Sequence, residues 1–207
     1  MEHSVEENIN LLNMVYSSDG NVIHIDKELY GVITDSADIK LININNNNTT
    51  DDFYKIEHLA DDYIILNKIG VGNYTGIIVD RQSFEKRLVH KYPLHVCGDI
   101  IYSDEMSLSY DNAVEFFDKY GKKLFSEKTI YGRLSVTNID NTNIYILDFY
   151  DSIYIIKYEK EFNIVYSLNN CVLTSLCDTK YLLYEVHDCK NAMVIDILDI
   201  CNGKNNI

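Results

Sequence analysis

Short apolar runs separated by polar clusters alternate along almost the whole chain. Each run is about 4–8 residues long, is rich in Ile, Val and Tyr, and is bounded by Asn, Asp, Gly or Ser, which is typical of antiparallel strands. Helical periodicity is nearly absent, so the pattern predicts an all-β protein. The runs are NVIHI, LYGVIT, IKLINI, DYIILNKI, TGIIVD, HVCGDIIYS, RLSVTNI, NIYILDF, SIYIIKY, FNIVYS, CVLTSL, KYLLYEV and AMVIDIL.

The runs group into five similar copies, which begin at Glu28, Tyr63, Asp99, Asn143 and Lys180. Each copy has an apolar strand, a polar turn and a second apolar strand, and in most copies a third strand follows. The copies recur at about 34–44 residues, the range in which propeller blades repeat. We expect the polar run NNNNTT at 45–50 in the first copy to be a mobile loop.

Two segments carry a resemblance to a known family. The turn VDRQSFEKRLV and its counterpart FFDKYGKKLF resemble the strand–turn–strand segment of β-propeller repeats, WD40-like in outline. The chain has no tryptophan and therefore no Trp-Asp pair. The resemblance covers most of the chain and implies a small β-propeller of about five blades in a single domain, 1–207. A capping pattern at Asn112 and Glu115 favours a helix locally, but the repeat register favours strands.

The first 18 residues have two interpretations. The last copy has no outer strand after AMVIDILDI, and the apolar stretch NINLLNMVYSSDG at 8–20 could supply that strand and complete the last blade. Alternatively, Ser4 and Glu7 form a capping box, and one face of a short helix carries Val5, Ile9, Leu12 and Tyr16. The sequence leaves both interpretations open.

Charge narrows the classes of partner. The formal net charge is −14 and the pI is near 4.7, which disfavours binding to nucleic acid or to anionic membrane and suits a protein partner with a basic surface. No basic-then-apolar leader opens the chain, and no apolar run reaches the roughly 18 residues of a membrane span. Five cysteines, an odd count, do not form a disulfide framework. We therefore expect a cytoplasmic protein.

Known catalytic and metal-binding signatures are missing. GVGNYTG precedes the strand GIIVD rather than a helix, which indicates a hairpin loop and not a dinucleotide site. The cysteine and histidine spacings do not match a zinc site. His95 with Cys97, and His187 with Cys189, lack a third group to orient them for nucleophilic catalysis. The sequence predicts no metal, no cofactor and no enzymatic activity.

One set of loops is a candidate binding surface. If the propeller forms, the loop between the first two strands of each copy lies on one rim, and tyrosines beside carboxylates suit basic peptides or sugars. We call these segments the rim loops; they are 34–38, 70–75, 108–112, 149–152 and 186–190. The candidate binding residues in them are Asp35, Tyr74, Tyr110, Asp111, Tyr150, Asp151, His187 and Asp188.

The sequence therefore favours a non-catalytic binding module that contacts a protein through an acidic, tyrosine-rich face. It would act as a monomer or a homodimer. One alternative is a carbohydrate-binding, lectin-like propeller. Another is a viral or phage counter-defence protein that binds a host factor or a nucleotide. The basic side chains available for a nucleotide site are few, namely Lys68, Arg81, Lys86, Arg87 and Arg133.

Overall fold

The structure is a computed structural model that describes residues 21–34, 38–70, 73–103, 112–129, 134–149, 152–177, 181–186 and 192–203. The described residues form 19 strands and one short helix, and the strands pair in five antiparallel sheets. The prediction of an all-β protein is confirmed. The predicted closing strand or helix at 1–18 lies outside the described residues.

The first two sheets have four strands each, paired in chain order. Sheet 1 contains β1 (Asn21–His24), β2 (Leu29–Ile33), β3 (Ile39–Asn43) and β4 (Asn48–Thr49). Sheet 2 contains β5 (Lys55–Leu59), β6 (Tyr63–Gly70), β7 (Asn73–Asp80) and β8 (Lys86–His90).

The remaining sheets follow the same plan of consecutive antiparallel neighbours. Sheet 3 contains β9 (Leu94–Cys97), β10 (Ile100–Ser103), β11 (Asn112–Phe117) and β12 (Lys123–Thr129). Sheet 4 contains β13 (Ser135–Asn138), β14 (Ile144–Phe149), β15 (Ser152–Tyr158) and β16 (Phe162–Asn169). Sheet 5 contains β17 (Cys171–Cys177), β18 (Tyr181–Val186) and β19 (Ala192–Asp196), and the helix α1 (Ile197–Cys201) follows it.

The five predicted copies correspond to the five sheets. Each copy begins within one residue of the second strand of a sheet. The sheets themselves begin one strand earlier, because β1, β5, β9, β13 and β17 come before the most apolar strands. The segments 112–124 and 83–92 contain strands and no helix, as the repeat register predicts.

The polar run NNNNTT, expected to be a mobile loop, contains a turn and a short strand. Residues 44–47 form a turn, and β4 follows it as a short strand that pairs with β3. Asn46 Nδ2 donates to the carbonyl of Gln82 at 2.8 Å, which ties this turn to sheet 2. Asparagine fits the turn because its amide can replace backbone hydrogen bonds and because it tolerates the positive φ of 61° at Asn47.

The chain divides into two compact units, Met1–His95 with Lys119–Gly121 and Val96–Asp118 with Lys122–Ile207. In the first unit, side chains of sheets 1 and 2 share a core that includes Leu29, Leu41, Ile64 and Ile77. The inner strands of these sheets are buried on both faces, which explains why they read as continuous apolar runs. The prediction of a single domain stays a prediction.

The second unit has two shared cores. Sheets 3 and 4 meet around Phe116, which lies 5.3 Å from Phe162 and 5.9 Å from Tyr145 between ring centroids, both edge-on. Sheets 4 and 5 meet around Ile146 and Ile155, with Leu182 opposite. Edge-on aromatic contacts add to the stabilisation from buried area, and sheet 4 is thereby held on both faces.

Candidate binding surface

The five rim loops occupy the same topological position in every sheet. Each lies between the second and third strands of its sheet. In sheet 2 the hairpin is tight, because Gly70 pairs with Asn73 across only two residues. The predicted loop 70–75 therefore includes strand residues, because β6 ends at Gly70 and β7 begins at Asn73.

Tyr74 is the candidate binding residue that lies within the described chain. It belongs to β7 rather than to a loop, pairs with Ile69 of β6, and leaves 49% of its surface exposed. The other candidates lie outside the described residues; they are Asp35, Tyr110, Asp111, Tyr150, Asp151, His187 and Asp188.

The base of the first rim loop is held by backbone and hydroxyl contacts. The Thr34 N–H donates to the carbonyl of Asp38 at 2.9 Å, and the Asp38 N–H donates to Thr34 Oγ1 at 3.3 Å. These contacts fix the spacing of the two strand ends at Thr34 and Asp38. A threonine hydroxyl at a strand end is suited to this because it can bond the backbone of a turn.

A buried carboxyl next to the fourth rim loop was not predicted from the sequence. Asp148 lies near the end of β14, and its side chain accepts a hydrogen bond from the backbone of Leu173 on β17 of sheet 5. Its Oδ1 is buried and has no hydrogen-bond partner. Burial raises the pKa of Asp148, and the hydrogen bond from Leu173 offsets only part of that increase.

Asn67 occupies the position in sheet 2 that corresponds to Asp148 in sheet 4. In both sheets the position is counted from the pair nearest the turn that joins the first and second strands. That pair is Leu59↔Ile64 in sheet 2 and Asn138↔Tyr145 in sheet 4. Asn67 lies three residues after Ile64, and Asp148 lies three residues after Tyr145. The Asn67 amide donates to the Leu94 carbonyl and accepts from the Leu94 N–H, both at 2.9 Å. Leu94 begins β9, the first strand of the next sheet, just as Leu173 lies on the first strand of sheet 5. An amide satisfies both backbone groups, whereas an ionised carboxylate can only accept.

Replacing Asp148 by asparagine is therefore expected to raise the free energy of unfolding by about 1 kcal/mol at pH 7. The folded state holds the Asp148 proton more tightly than the unfolded state does. Its contribution is present below the unfolded pKa of about 3.9 and is lost as pH rises through the higher folded pKa. The gain from Asp148→Asn should consequently shrink below pH 4, as measured by urea unfolding at both pH values. Asp61→Asn, at an exposed turn, should change stability little at either pH.

The basic residues considered for a nucleotide site are engaged by aspartates. Such a site needs several cations facing one cavity, and each of these cations instead faces a carboxylate. The ion pairs are Lys68 with Asp52, Arg81 with Asp26, Lys86 with Asp51 at 2.7 Å, and Arg87 with Asp80 at 2.7 Å. Arg133 lies outside the described residues.

Arg87 organises the end of sheet 2 opposite the rim loop. Its Nη2 donates to the carbonyl of Asp62 and to Asp80 Oδ2, both at 2.7 Å, and its Nη1 donates to the carbonyl of Lys119 at 3.2 Å. Lys119 in turn pairs with Asp62 at 2.8 Å. Tyr120 lies beside this network with its ring 5.6 Å from Arg87 Cζ, and it is 64% exposed. Planar guanidinium groups suit such multiple contacts. We call this network, in which Arg87 links Asp62, Asp80 and Lys119, the Arg87 joint.

Asp80 is held ionised within this joint. Hydrogen bonds from the Ser83 N–H, from Arg87 and from the Gln82 N–H outweigh burial and lower the pKa of Asp80 to about 2. Stability from this group is present above the unfolded pKa of about 3.9 and is lost as pH falls toward 2.

The Cys97 site does not favour nucleophilic chemistry. Burial raises the pKa of the Cys97 thiol, which contacts the carbonyl of Val136 at 3.6 Å. His95 Nδ1 lies 2.9 Å from Glu57 Oε1 instead. A nucleophilic cysteine needs a lowered pKa and an adjacent base. His187 and Cys189 lie outside the described residues.

No group of three or more His, Cys, Asp or Glu side chains in the described ranges is arranged to hold a metal ion. Within those same ranges, helix length and hydropathy nowhere reach what a membrane-crossing helix needs.

No protein-family model matches the chain, and no curated protein matches its sequence. Solved structures do resemble it. The dihydro-heme d1 dehydrogenase NirN, in complex with DHE, matches with a TM-score of 0.50 and 13% identity over 87% of this chain and 45% of that one. Hsv2 from Kluyvelomyces marxianus matches with a TM-score of 0.50 and 9% identity over 85% of this chain and 59% of that one.

BamB from Moraxella catarrhalis aligns over 82% of this chain and 70% of that one, with 14% identity and a TM-score of 0.38. NirN and Hsv2 are propeller-type proteins. At these identities the similarity concerns the fold alone, and it agrees with the propeller repeats predicted from the sequence. The chain spans about half the length of the NirN and Hsv2 chains.

Proposed function

We propose that this protein is a non-catalytic binding module that recognises a protein partner through its rim loops. The observation that carries the proposal is the repeated placement of these loops between the second and third strands of all five sheets. Binding residues commonly lie on loops that a rigid scaffold positions. The opposite end of sheet 2 is occupied by the Arg87 joint, which leaves the rim-loop end for recognition.

The composition of the rim loops favours a partner with a basic surface. Tyrosine provides a large apolar ring with a polar tip, and its face attracts lysine and arginine cations. The aspartates beside the tyrosines add negative charge to a chain whose formal net charge is already −14. A basic polypeptide surface fits this arrangement best, because opposite charges guide the encounter and the tyrosines supply contact area.

The proposal is tested by affinity capture with quantitative mass spectrometry. The rim variant carries Tyr74→Ser, Tyr110→Ser and Tyr150→Ser. The control carries Tyr120→Ser, at an exposed tyrosine in the turn between β11 and β12. We expect the rim variant to capture at least about tenfold less of each partner than the unmodified protein does. The control variant should capture the same partners in the same amounts. Thermal unfolding should show that both variants are folded. Equal capture by the rim variant would contradict the proposal.

A further inference from the structure

An aromatic cluster between sheets 3 and 4 reaches the surface at the end of sheet 4 opposite its rim loop. Phe162, the first residue of β16, is 8% exposed. The rings of Tyr158 and Tyr145 pack on it with centroid distances of 4.5 and 5.6 Å. Tyr145 is 5% exposed, whereas Tyr158, the last residue of β15, is 37% exposed. Of these three rings, Tyr158 is therefore the one that a ligand can reach from solvent.

Tyr158 is held in place by its backbone and by its ring. The Tyr158 N–H donates to the carbonyl of Asn143 at 2.8 Å, and Asn143 Nδ2 donates to the carbonyl of Tyr158. The ring lies at an angle of 31° to the ring of Phe162, which is close to a stacked arrangement. Because Phe162 covers one face of the Tyr158 ring, the exposed surface lies on its other face and its edge.

The turn between β9 and β10 brings a carboxylate to this cluster. An added Cβ at Gly98 would lie 3.3 Å from Asn138 Cγ, and Asn138 pairs with Tyr145 across β13 and β14. Asp99 follows Gly98 and is exposed, and no cation in the described part of the chain pairs with it. Burial and the nearby charge of Asp99 raise the pKa of Tyr145 to about 12. The Asp99 carboxylate therefore lies close to the aromatic cluster.

The charges around Tyr158 favour a cation over an anion. The turn that follows it contains Glu159, Lys160 and Glu161, all exposed. Glu159 is engaged by Lys157 at 2.8 Å. Asp99 and Glu161 remain as two acidic groups against the one cation Lys160. An aromatic face beside a carboxylate attracts organic cations, because the ring quadrupole and the negative charge act in the same direction.

We propose that Tyr158 and Asp99 form a binding site for an arginine side chain of a partner polypeptide. The guanidinium group stacks on the exposed face of the Tyr158 ring and donates hydrogen bonds to the Asp99 carboxylate. Arginine is preferred to lysine because its planar group can stack and donate a pair of hydrogen bonds at the same time. Both residues lie outside the rim loops, so the proposal does not depend on the proposed function.

The probe is a capped Gly-Arg-Gly peptide. Its neutral counterpart has citrulline in place of arginine, which preserves the shape and removes the charge, and a third peptide has lysine. Two-dimensional NMR of the isotope-labelled chain follows the backbone amides as each peptide is added. We expect the arginine peptide to shift the signals of 98–99 and 158–162 in a saturable manner. The citrulline peptide should bind at least about tenfold more weakly, because it lacks hydrogen bonds between charged groups.

Two variants test the two contacts separately. Tyr158→Leu keeps an apolar side chain but removes the ring, and it should weaken binding of the arginine peptide at least about threefold. Asp99→Asn keeps the shape but removes the charge, and it should weaken binding at least about tenfold. The matched controls are Tyr120→Leu, at a 64% exposed tyrosine, and Asp61→Asn, at an exposed aspartate. Both controls should bind as the unmodified chain does.

The NMR spectra of the free variants show whether each one is folded. Equal binding by the citrulline peptide, or by either site variant in its folded form, would overturn the proposal. Equal binding by the lysine peptide would overturn the preference for arginine. Shifts that are spread over the acidic surface and do not saturate would show general attraction between opposite charges, and they would contradict a site at Tyr158 and Asp99.

Discussion

Replacing Asn67 by leucine is expected to lower the free energy of unfolding by about 3 kcal/mol. Asn67 is 4% exposed, and its amide satisfies both backbone groups of Leu94, which is itself fully buried. Leucine has a similar volume but no polar atoms, so the N–H and C=O of Leu94 would both be left without these partners. Each unsatisfied buried group costs about 1–3 kcal/mol, partly offset by the added apolar burial.

The measurement is urea unfolding followed by circular dichroism. Asn163→Leu is the matched control, because Asn163 is exposed on β16 and its side-chain amide donates to the carbonyl of Glu161 in the adjacent turn. The control should change stability by less than about 0.5 kcal/mol. A loss below about 1 kcal/mol for Asn67→Leu would mean that the amide does not hold β9 in place.

Replacing Gly76 by alanine is expected to lower the free energy of unfolding by about 2 kcal/mol. Gly76 pairs with Asn67 across β6 and β7, and the chain leading into β9 lies directly over it. An added Cβ would lie 2.6 Å from the carbonyl oxygen of Tyr92 and 2.6 Å from Leu94 Cγ. The backbone of Tyr92 cannot move away without disturbing the Asn67 contacts, so the two predictions concern the same joint.

Gly203→Ala is the comparison variant, because it introduces backbone strain without a steric clash, whereas Gly76→Ala introduces a clash. Gly203 has a φ of +75°, and an added Cβ would meet no atom within 4 Å. Alanine there should cost about 1 kcal/mol, because the left-handed conformation is unfavourable for a residue with a Cβ. Differential scanning calorimetry compares the unfolding temperatures of the two variants. If Gly76→Ala lowers the unfolding temperature by less than Gly203→Ala does, the chain leading into β9 does not lie against Gly76.

The repeat could be read from the sequence, but its boundaries could not. The second and third strands of sheets 1 and 2 are buried on both faces along most of their length, so runs such as YIIL and TGIIVD are easy to recognise. The first strands are only partly covered. In β5 the sequence KIEHL alternates between exposed and half-buried positions, and the apolar signal is correspondingly weak. The copies were therefore assigned one strand out of phase with the sheets.

Turn chemistry was harder to read than strand patterning. The apolar pattern indicates one run at HVCGDIIYS, but Gly98 has a φ of +58° and divides this segment into β9 and β10. The short helix α1 was also missed, because the run AMVIDIL continues into it without an apolar break. Its signal was Asp196, whose carboxylate accepts from the N–H groups of Leu198 and Asp199.

Some features of the candidate binding surface could be predicted from the strand pattern, and others depend on how the sheets pack. Loop positions could be predicted because they follow from the strand pattern, and Tyr74 is exposed as a binding residue must be. Asp148 was missed because a single acidic residue inside NIYILDF resembles a strand end. Its significance depends on Leu173 of another sheet, 25 residues away in the chain. Contacts of that kind depend on how the sheets pack, which a pattern of apolar positions does not specify.

If the rim loops carry the binding function, a bound partner slows hydrogen exchange of their backbone amides. Hydrogen exchange followed by mass spectrometry compares the free chain with the chain bound to its captured partner. We expect increased protection in peptides that cover 34–38, 70–75, 108–112, 149–152 and 186–190, with the turns at 81–85 and 118–122 unchanged. Protection confined to those two turns, with none at the rim loops, would contradict it.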